Sequence, residues 1–251
     1  MENKPLVSII TVARNAKDTI ARTIESVLAQ TYDGPMEYII KDGLSTDDTM
    51  VVAESYRTAM RERGIAYRIE SSEDKGIYDA MNRGIDLAKG ELVGIINADD
   101  IYEKECVETV VNRYIETGFD LCFGDIRMIL PSGRTFVKKA RLRRYTTSRD
   151  WNHPTQFVKR SVYDRFRFRC ENISDDMDLY FAIRKSGARI EVINRVLADF
   201  TMGGVSSSIP ITEVMERIRR RYRIYRRYGY SRLYIFECVG FEIVKYIGSK
   251  F

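Results

Sequence analysis

The apolar run Leu92–Ile96 opens directly onto Asn97-Ala98-Asp99-Asp100. Five apolar residues bounded by Gly90-Glu91 and by a polar cluster predict a buried strand that delivers two carboxylates to the edge of a sheet. Adjacent carboxylates repel and resist burial, so a cation is expected beside them. Their hard oxygens suit Mg²⁺ or Mn²⁺ carrying phosphates. The plainer possibility is a solvated helix N-cap with a spare acid.

Three further strand–helix units precede this one. Leu6–Val12 is β-branched and apolar, as a central parallel strand should be. Ala16–Gln30 carries Ile20, Ile24, Val27 and Leu28 at helical spacing. Met36–Lys41 predicts a second strand ending on Asp42-Gly43, and Ser45-Thr46-Asp47-Asp48 then offers N-cap chemistry for a helix reaching Arg63. Ala66–Ser71 is a third strand and Ile77–Lys89 a helix. Alternation of this kind predicts an α/β fold with a doubly wound, mainly parallel sheet.

After a helix over Glu103–Thr117 the rhythm changes. Phe119–Gly124, Ile126–Leu130 and Arg134–Lys138 predict strands pairing antiparallel at the sheet edge, followed by a helix over Asp175–Lys185 and further strands over Arg189–Ile193 and Val196–Thr201. In the C-terminal segment, Ile211, Met215, Ile218, Tyr222 and Tyr225 step by four and three, giving one apolar stripe on an arginine-rich helix.

Composition narrows the chemistry. Four scattered cysteines without a CxxC pair, and a single histidine, argue against a disulfide framework or a zinc site and for a reducing compartment. The N-terminus lacks the order of a signal peptide, and no run of ~18 apolar residues is long enough to span a bilayer. Residues 213–251 hold ten Lys/Arg against four Glu, while the rest of the chain has 31 basic and 32 acidic residues. The net charge of +5 is thereby assigned to the C-terminal segment.

Ligands of such sheets bind beyond the carboxyl ends of the strands. There is no GxGxxG after the first strand, where Thr11-Val12-Ala13-Arg14-Asn15-Ala16 stands, and no GxxxxGK[ST] loop. Nicotinamide and P-loop chemistry are therefore excluded at the residue level. Asp42 is able to accept from a base or ribose, with Asp99 and Asp100 bringing a metal to a diphosphate.

PLVSIITVARN, KDGLSTDDT and SEDKGIYDAMNRGIDLAKGELVGIINADD together resemble the inverting family 2 glycosyltransferases of the A-type fold, bacterial surface-polysaccharide type, almost continuously over residues 5–100. The resemblance implies a nucleoside diphosphate sugar donor (a UDP-sugar), a divalent metal (Mn²⁺ or Mg²⁺) and single displacement with inversion. It divides the chain into a nucleotide-sugar-binding half (1–100), an acceptor-binding half of the same domain (101–208) and a basic amphipathic helical segment (209–251).

Residue by residue, the resemblance sets Thr11 and Arg14 beside the nucleotide and Asp42 on the base or ribose. Asp74, Lys75, Gly76 and Asp79 line the donor, and Asp99 and Asp100 hold ribose and metal. Asn97 stands where many relatives have Asp. In Ser174-Asp175-Asp176-Met177-Asp178-Leu179 it makes Asp176 the base, with Asp175 the alternative; the bland reading is three helix N-terminal charges. It sets His153, in Asn152-His153-Pro154-Thr155-Gln156-Phe157, on the acceptor or phosphate side, although a lone histidine is commonly structural. Gly124-Asp125 and Met202-Gly203-Gly204-Val205-Ser206 also recur in the family, and Trp151 is a candidate sugar-stacking ring or a core residue.

The expected acceptor is a glycan, carried on a polyprenyl diphosphate, met at the cytoplasmic face of the membrane. Arginines and tyrosines of the C-terminal segment suit peripheral contact with an anionic bilayer. Plain packing on the domain and nucleic-acid binding are the competing accounts, the last set aside. The alternatives to glycosyl transfer are a sugar nucleotidyltransferase, which lacks its glycine- and lysine-rich loop here, and a catalytically silent nucleotide-sugar-binding module.

Overall fold

The computed structural model describes residues 4–201 and 211–248; the Met202–Ser206 motif lies outside the described residues. Strands β1 (Val7–Ala13), β2 (Met36–Asp42), β3 (Ala66–Ser71) and β4 (Leu92–Asn97) are parallel and ordered β3-β2-β1-β4. Between them run α1 (Ile20–Leu28), α2 (Thr49–Ser55), α3 (Arg57–Glu62) and α4 (Ile77–Leu87). All seven residues of β1 are buried, because packed layers cover both sheet faces. Val7, Ile9 and Ala13 join one core, and Ile10 and Val12 join the other. Such two-sided burial is what a continuous β-branched run provides, at roughly 1.5–3 kcal/mol per large aliphatic side chain.

The single helix expected up to Arg63 is two short ones. At Tyr56 the backbone N–H turns to the Ala53 carbonyl three residues back, at 3.3 Å, which interrupts the α-helical ladder.

After β5 (Ile101–Tyr102) and α5 (Cys106–Thr117) the pairing becomes mixed. β6 (Leu121–Ile129) and β9 (Ile190–Thr201) are each one strand where the sequence marks two, and they run parallel, with register shifts around Asp125. The physical reason is α6 (Asp175–Lys185), which lies between them in the chain and returns it to the same end of the sheet. Antiparallel partners do occur: β7 (Thr135–Lys138) on β6, β5 on β9, and β8 (Phe157–Lys159) on both β4 and β6. β8, unforeseen at three residues, joins the two halves into one sheet in the order β3-β2-β1-β4-β8-β6-β9-β5. It requires Gly94, where a Cβ would lie 2.5 Å from the Phe157 ring.

Helices α7 (Ile211–Arg227) and α8 (Tyr234–Gly248) pack on one another and on the sheet's second core. The expected α7 stripe is shifted. Met215 is exposed, while Val214, Ile218, Ile224 and Tyr225 are buried. Several α7 arginines are engaged within the protein: Arg217 with Glu213, Arg220 with Glu216, Arg221 with Glu242 and Arg227 with Asp178. Among the described residues no helix is long and apolar enough to cross a membrane.

Candidate active site

Strand register brings the carboxylates together. Ala13 pairs with Asp42, Asp42 with Ser71, and Val12 with Asn97, so four strand ends lie side by side at one edge. Asp42 is fully buried, and its carboxylate accepts from Ser45 N–H at 3.0 Å, from Ser71 Oγ at 2.6 Å and from Ser45 Oγ. Beneath it, buried Lys41 donates Nζ to the carbonyls of Asp42 (2.6 Å) and Ser72 (2.7 Å) and stands 3.9 Å from Asp74. Asp74 in turn accepts from Gly76 N–H at 2.9 Å. Gly43 admits this arrangement, since a Cβ there would meet Asp74 Oδ2 at 2.6 Å and Arg14 Cδ at 3.6 Å.

Gly76 has φ 116° and ψ 177°, a backbone conformation essentially confined to glycine, and it leads into α4. Asp79 is turned to local structure. It accepts from Lys75 N–H at 3.0 Å and from Arg83 at 3.1 Å, and the first of these holds its carboxyl below the usual range. Thr11 departs from the expectation that it borders the nucleotide. It is fully buried, and its hydroxyl accepts from Tyr38 at 2.9 Å, because strand alternation turns it into the sheet's interior, whereas Arg14, past the strand end, is exposed.

At the β4 end, Asp99 is half-buried, and burial raises its pKa. Asp100 is completely buried, and burial followed by the Asp99 charge pushes its pKa well up. Asn97 Nδ2 donates to Asp100 Oδ2 at 3.4 Å. Asn97 Oδ1 and Asp100 Oδ1 are buried with no partner among the described residues. Two orphaned oxygens beside a partly open carboxylate are a hard donor set, and such a set fits a divalent cation. No group of three or more His, Cys, Asp or Glu with metal-holding geometry occurs among the described residues, so any protein ligation here would rest on few carboxylates and an amide.

The start of α6 separates three aspartates by environment. Asp175 is buried and accepts from Glu171 N–H (2.6 Å) and Asn172 N–H (3.2 Å), closing the turn before the helix. Asp178 is buried between Arg169 (2.8 Å), Arg227 (2.6 Å) and the Tyr228 hydroxyl (3.0 Å). Asp176 is half-buried and makes no ion pair among the described residues; its carboxylate accepts from the N–H of Met177 at 2.7 Å, and the Tyr78 hydroxyl lies within its reach. Its charge reaches His153, Lys138 and Tyr78.

His153 is held by the β6 strand. Asn152 Nδ2 and Thr155 Oγ1 both donate to the Gly124 carbonyl (2.8 and 2.9 Å), and Gly124 N–H donates back to Thr155. Both imidazole nitrogens, Trp151 Nε1, Asn152 Oδ1 and Gln156 Oε1 are buried without a partner among the described residues. Burial lowers the His153 pKa, with Asp176 opposing. Trp151 stacks on Tyr180 at 5.2 Å, so the ring is wall and its N–H is the free part. Lys138, which the sequence reading passed over, donates to the Trp151 carbonyl at 3.2 Å, and burial lowers its pKa to about 8. The available signal was its place at the end of the predicted strand Arg134–Lys138. Asp125 accepts from Ala140 N–H at 2.7 Å and so pins the chain just beyond Lys138.

A family model described as Glycosyl transferase family 2 matches residues 8–189, from β1 to the start of β9. The chain belongs to that family, and with it to the glycosyltransferases. A PGL/p-HBAD biosynthesis glycosyltransferase of Mycobacterium tuberculosis is 29% identical over 229 residues, covering 88% of this chain and 86% of that one. Among solved structures, S. aureus TarS 1-349 in complex with UDP superposes with a TM-score of 0.66 at 17% identity, covering 96% of this chain and 72% of that one. The mannosyltransferase PcManGT from Pyrobaculum calidifontis, in complex with GDP-Man and Mn²⁺, gives 0.67 at 16% identity, covering 98% and 74%. The likeness to these two solved structures is one of fold.

Proposed function

We propose that this family 2 glycosyltransferase is inverting and moves a sugar from a nucleoside diphosphate donor, UDP-linked, to a lipid-carried glycan acceptor in surface-polysaccharide assembly. One observation carries the reading. Of the three aspartates opening α6, only Asp176 is committed neither to closing a turn nor to an ion pair among the described residues, and its charge reaches His153, whose ring nitrogens are buried without a partner among those residues. A general base has this profile: reachable and not committed to an internal ion pair.

In this reading Asp176 takes the proton of the acceptor hydroxyl as its oxygen attacks the anomeric carbon. The bond from that carbon to the diphosphate breaks on the opposite face, which inverts the centre. Lys138, charged below about pH 8, offers a cation to a phosphate or to the developing charge. His153, neutral by burial, offers one donor and one acceptor nitrogen to the acceptor or the phosphates. Asp42 and Asp74, held by Lys41, Ser45 and Ser71, set the nucleoside end, and Arg14 covers it.

Asp99, Asp100 and Asn97 would hold a Mn²⁺ or Mg²⁺ ion, which when bound offsets charge on the leaving diphosphate. The UDP carried by TarS and the GDP-Man and Mn²⁺ carried by PcManGT support a nucleoside diphosphate donor and a metal. Peripheral contact with the inner face of the membrane follows from a lipid-carried acceptor.

The test is release of nucleoside diphosphate from UDP-, GDP- and dTDP-sugars with Mn²⁺ or Mg²⁺ against EDTA. Slow metal-dependent hydrolysis of one donor is the expected result. Neither turnover nor nucleotide-dependent thermal protection with any donor would overturn the reading in favour of a silent module.

A further inference from the structure

Between Asp125 and Asp150 the chain holds eight Lys/Arg and no Asp or Glu. Summing charge over everything before residue 213 conceals this stretch, because acids elsewhere cancel it. It forms β7 and then an irregular loop over residues 139–149. Ordered loops of this length carry function more often than shorter connections do.

The surface it makes is unusual in two respects. Arg134, Lys139, Arg141, Arg144 and Arg149 are exposed and lack carboxylate partners among the described residues; Arg143 pairs with Asp150 at 3.6 Å. Interleaved with them, Phe136, Val137, Leu142 and Tyr145 are exposed by 46% to 73%. Large apolar side chains in water cost free energy that a soluble surface avoids when it has no use for them.

The loop is nonetheless fastened from beneath. Arg141 N–H donates to the Asp150 carbonyl at 2.7 Å and Thr147 N–H to the Asp150 carboxylate at 2.7 Å. Ser148 N–H donates to the Tyr225 hydroxyl at 2.9 Å, and Arg184 donates to the Arg143 carbonyl. Ser148 Oγ donates to the Glu237 carboxylate at 2.9 Å, which fastens the loop to α8, near whose start Leu233 and Phe236 are exposed.

We propose that this surface docks on an anionic phospholipid bilayer, with the 139–149 loop, and not the arginines of α7, as its main contact. Cations meeting headgroups around apolar and aromatic side chains at the acyl boundary match an interfacial site. Four α7 arginines already pair with carboxylates, Arg221 and Arg227 with the buried Glu242 and Asp178 and the other two with glutamates of α7 itself. The loop follows Lys138, which the Asp176 charge reaches and whose Nζ donates to the Trp151 carbonyl at 3.2 Å, so docking here would hold the bilayer on the flank of the proposed base. The inference rests on the glycosyl-transfer reading for its purpose only; the binding itself does not.

The experiment is co-sedimentation of the full chain with phosphatidylcholine vesicles, with and without phosphatidylglycerol, at two salt concentrations. The same preparations are assayed for nucleotide-dependent thermal protection. Binding is expected only with the anionic lipid and to weaken with salt. Lys139→Gln, Arg141→Gln and Arg144→Gln together should weaken it by at least ~10-fold, since each cation near such a surface contributes severalfold. Leu142→Ser with Tyr145→Ser should weaken it independently of salt. All variants should keep the unfolding temperature and nucleotide protection of the parent. Equal binding by the triple variant, equal binding to neutral vesicles, or retention on single-stranded RNA with none on vesicles would each overturn the proposal. Vesicle binding without nucleotide protection in the parent would instead remove the donor reading and leave the docking surface standing.

Discussion

Arg227 Nη1 donates to Asp178 Oδ1 at 2.6 Å, fastening α7 to α6 two residues beyond Asp176. The carboxylate is buried and also serves Arg169 and Tyr228, so the C-terminal helix is part of the support of the proposed base. Arg227→Ala should cost about 1 kcal/mol, a small figure because the arginine is itself partly exposed and two partners remain. Asp178→Ala should cost about 3 kcal/mol or more, because it leaves two arginines without their shared acceptor. Chemical denaturation measures both. Steady-state assays should show Arg227→Ala lowering kcat with the donor KM little changed.

Asp176→Asn and Asp175→Asn should fail in different ways. Removing a general base lowers turnover by roughly 10²–10⁴-fold, so Asp176→Asn should lose transfer while retaining nucleotide protection and unfolding temperature. Asp175→Asn replaces an acceptor of two backbone N–H groups and should lower the unfolding temperature first. Parallel turnover and melting measurements separate the two; unchanged turnover in Asp176→Asn would remove its assignment.

The first hundred residues were legible because their strands are buried on both faces and their carboxylates sit where the apolar runs stop. Leu92–Ile96 followed by Asp99-Asp100 states both facts in nine letters. The second half was less legible because its order depends on contacts remote in sequence. β8 is three residues long and exists through Gly94 and Cys122 on two other strands, a pairing no local pattern signals. The parallel β6–β9 pair likewise follows from the α6 crossover. At the site, the acidic motif offered three aspartates, and only Arg169, Arg227 and the turn at Glu171 distinguish Asp176 from its neighbours. Lys138 escaped notice because a lysine at a strand end reads as solvated until the fold half-buries it against the Trp151 carbonyl.

Lys138 sets a pH dependence. Its native pKa of about 8 lies below the ordinary value of ~10.4. Between those values the unfolded chain holds a proton that the native one has released, so this group makes stability rise from about pH 8 towards ~10.4. Activity should move the opposite way. The free enzyme loses the cation above about pH 8, and kcat/KM should fall there as donor or acceptor phosphates lose their partner. Lys138→Met should lower kcat/KM at pH 7 and remove the step near pH 8. A pH profile that keeps the step in the variant would assign it elsewhere.

Asn97 offers the sharpest test of the metal reading. Its Oδ1 and Asp100 Oδ1 are both buried and unpartnered among the described residues, beside a half-buried Asp99. An amide oxygen coordinates without adding charge, which limits the affinity the site can have for a divalent ion. Asn97→Asp keeps the shape and adds a negative charge where two carboxyls already have raised pKa values. Without metal, the third carboxylate should lower the unfolding temperature through repulsion, increasingly so as pH rises and more of the three are ionised. With Mn²⁺ the order should reverse, and the variant should gain more thermal protection than the parent and reach half-protection at a lower Mn²⁺ concentration. Asp99→Asn should do the opposite, raising the Mn²⁺ needed for nucleotide protection by tenfold or more, which corresponds to about 1.4 kcal/mol. Melting curves across a Mn²⁺ titration, with EDTA as the zero point, read all three proteins without any need for turnover. Equal Mn²⁺ responses in parent, Asn97→Asp and Asp99→Asn would place the ion away from the β4 strand end.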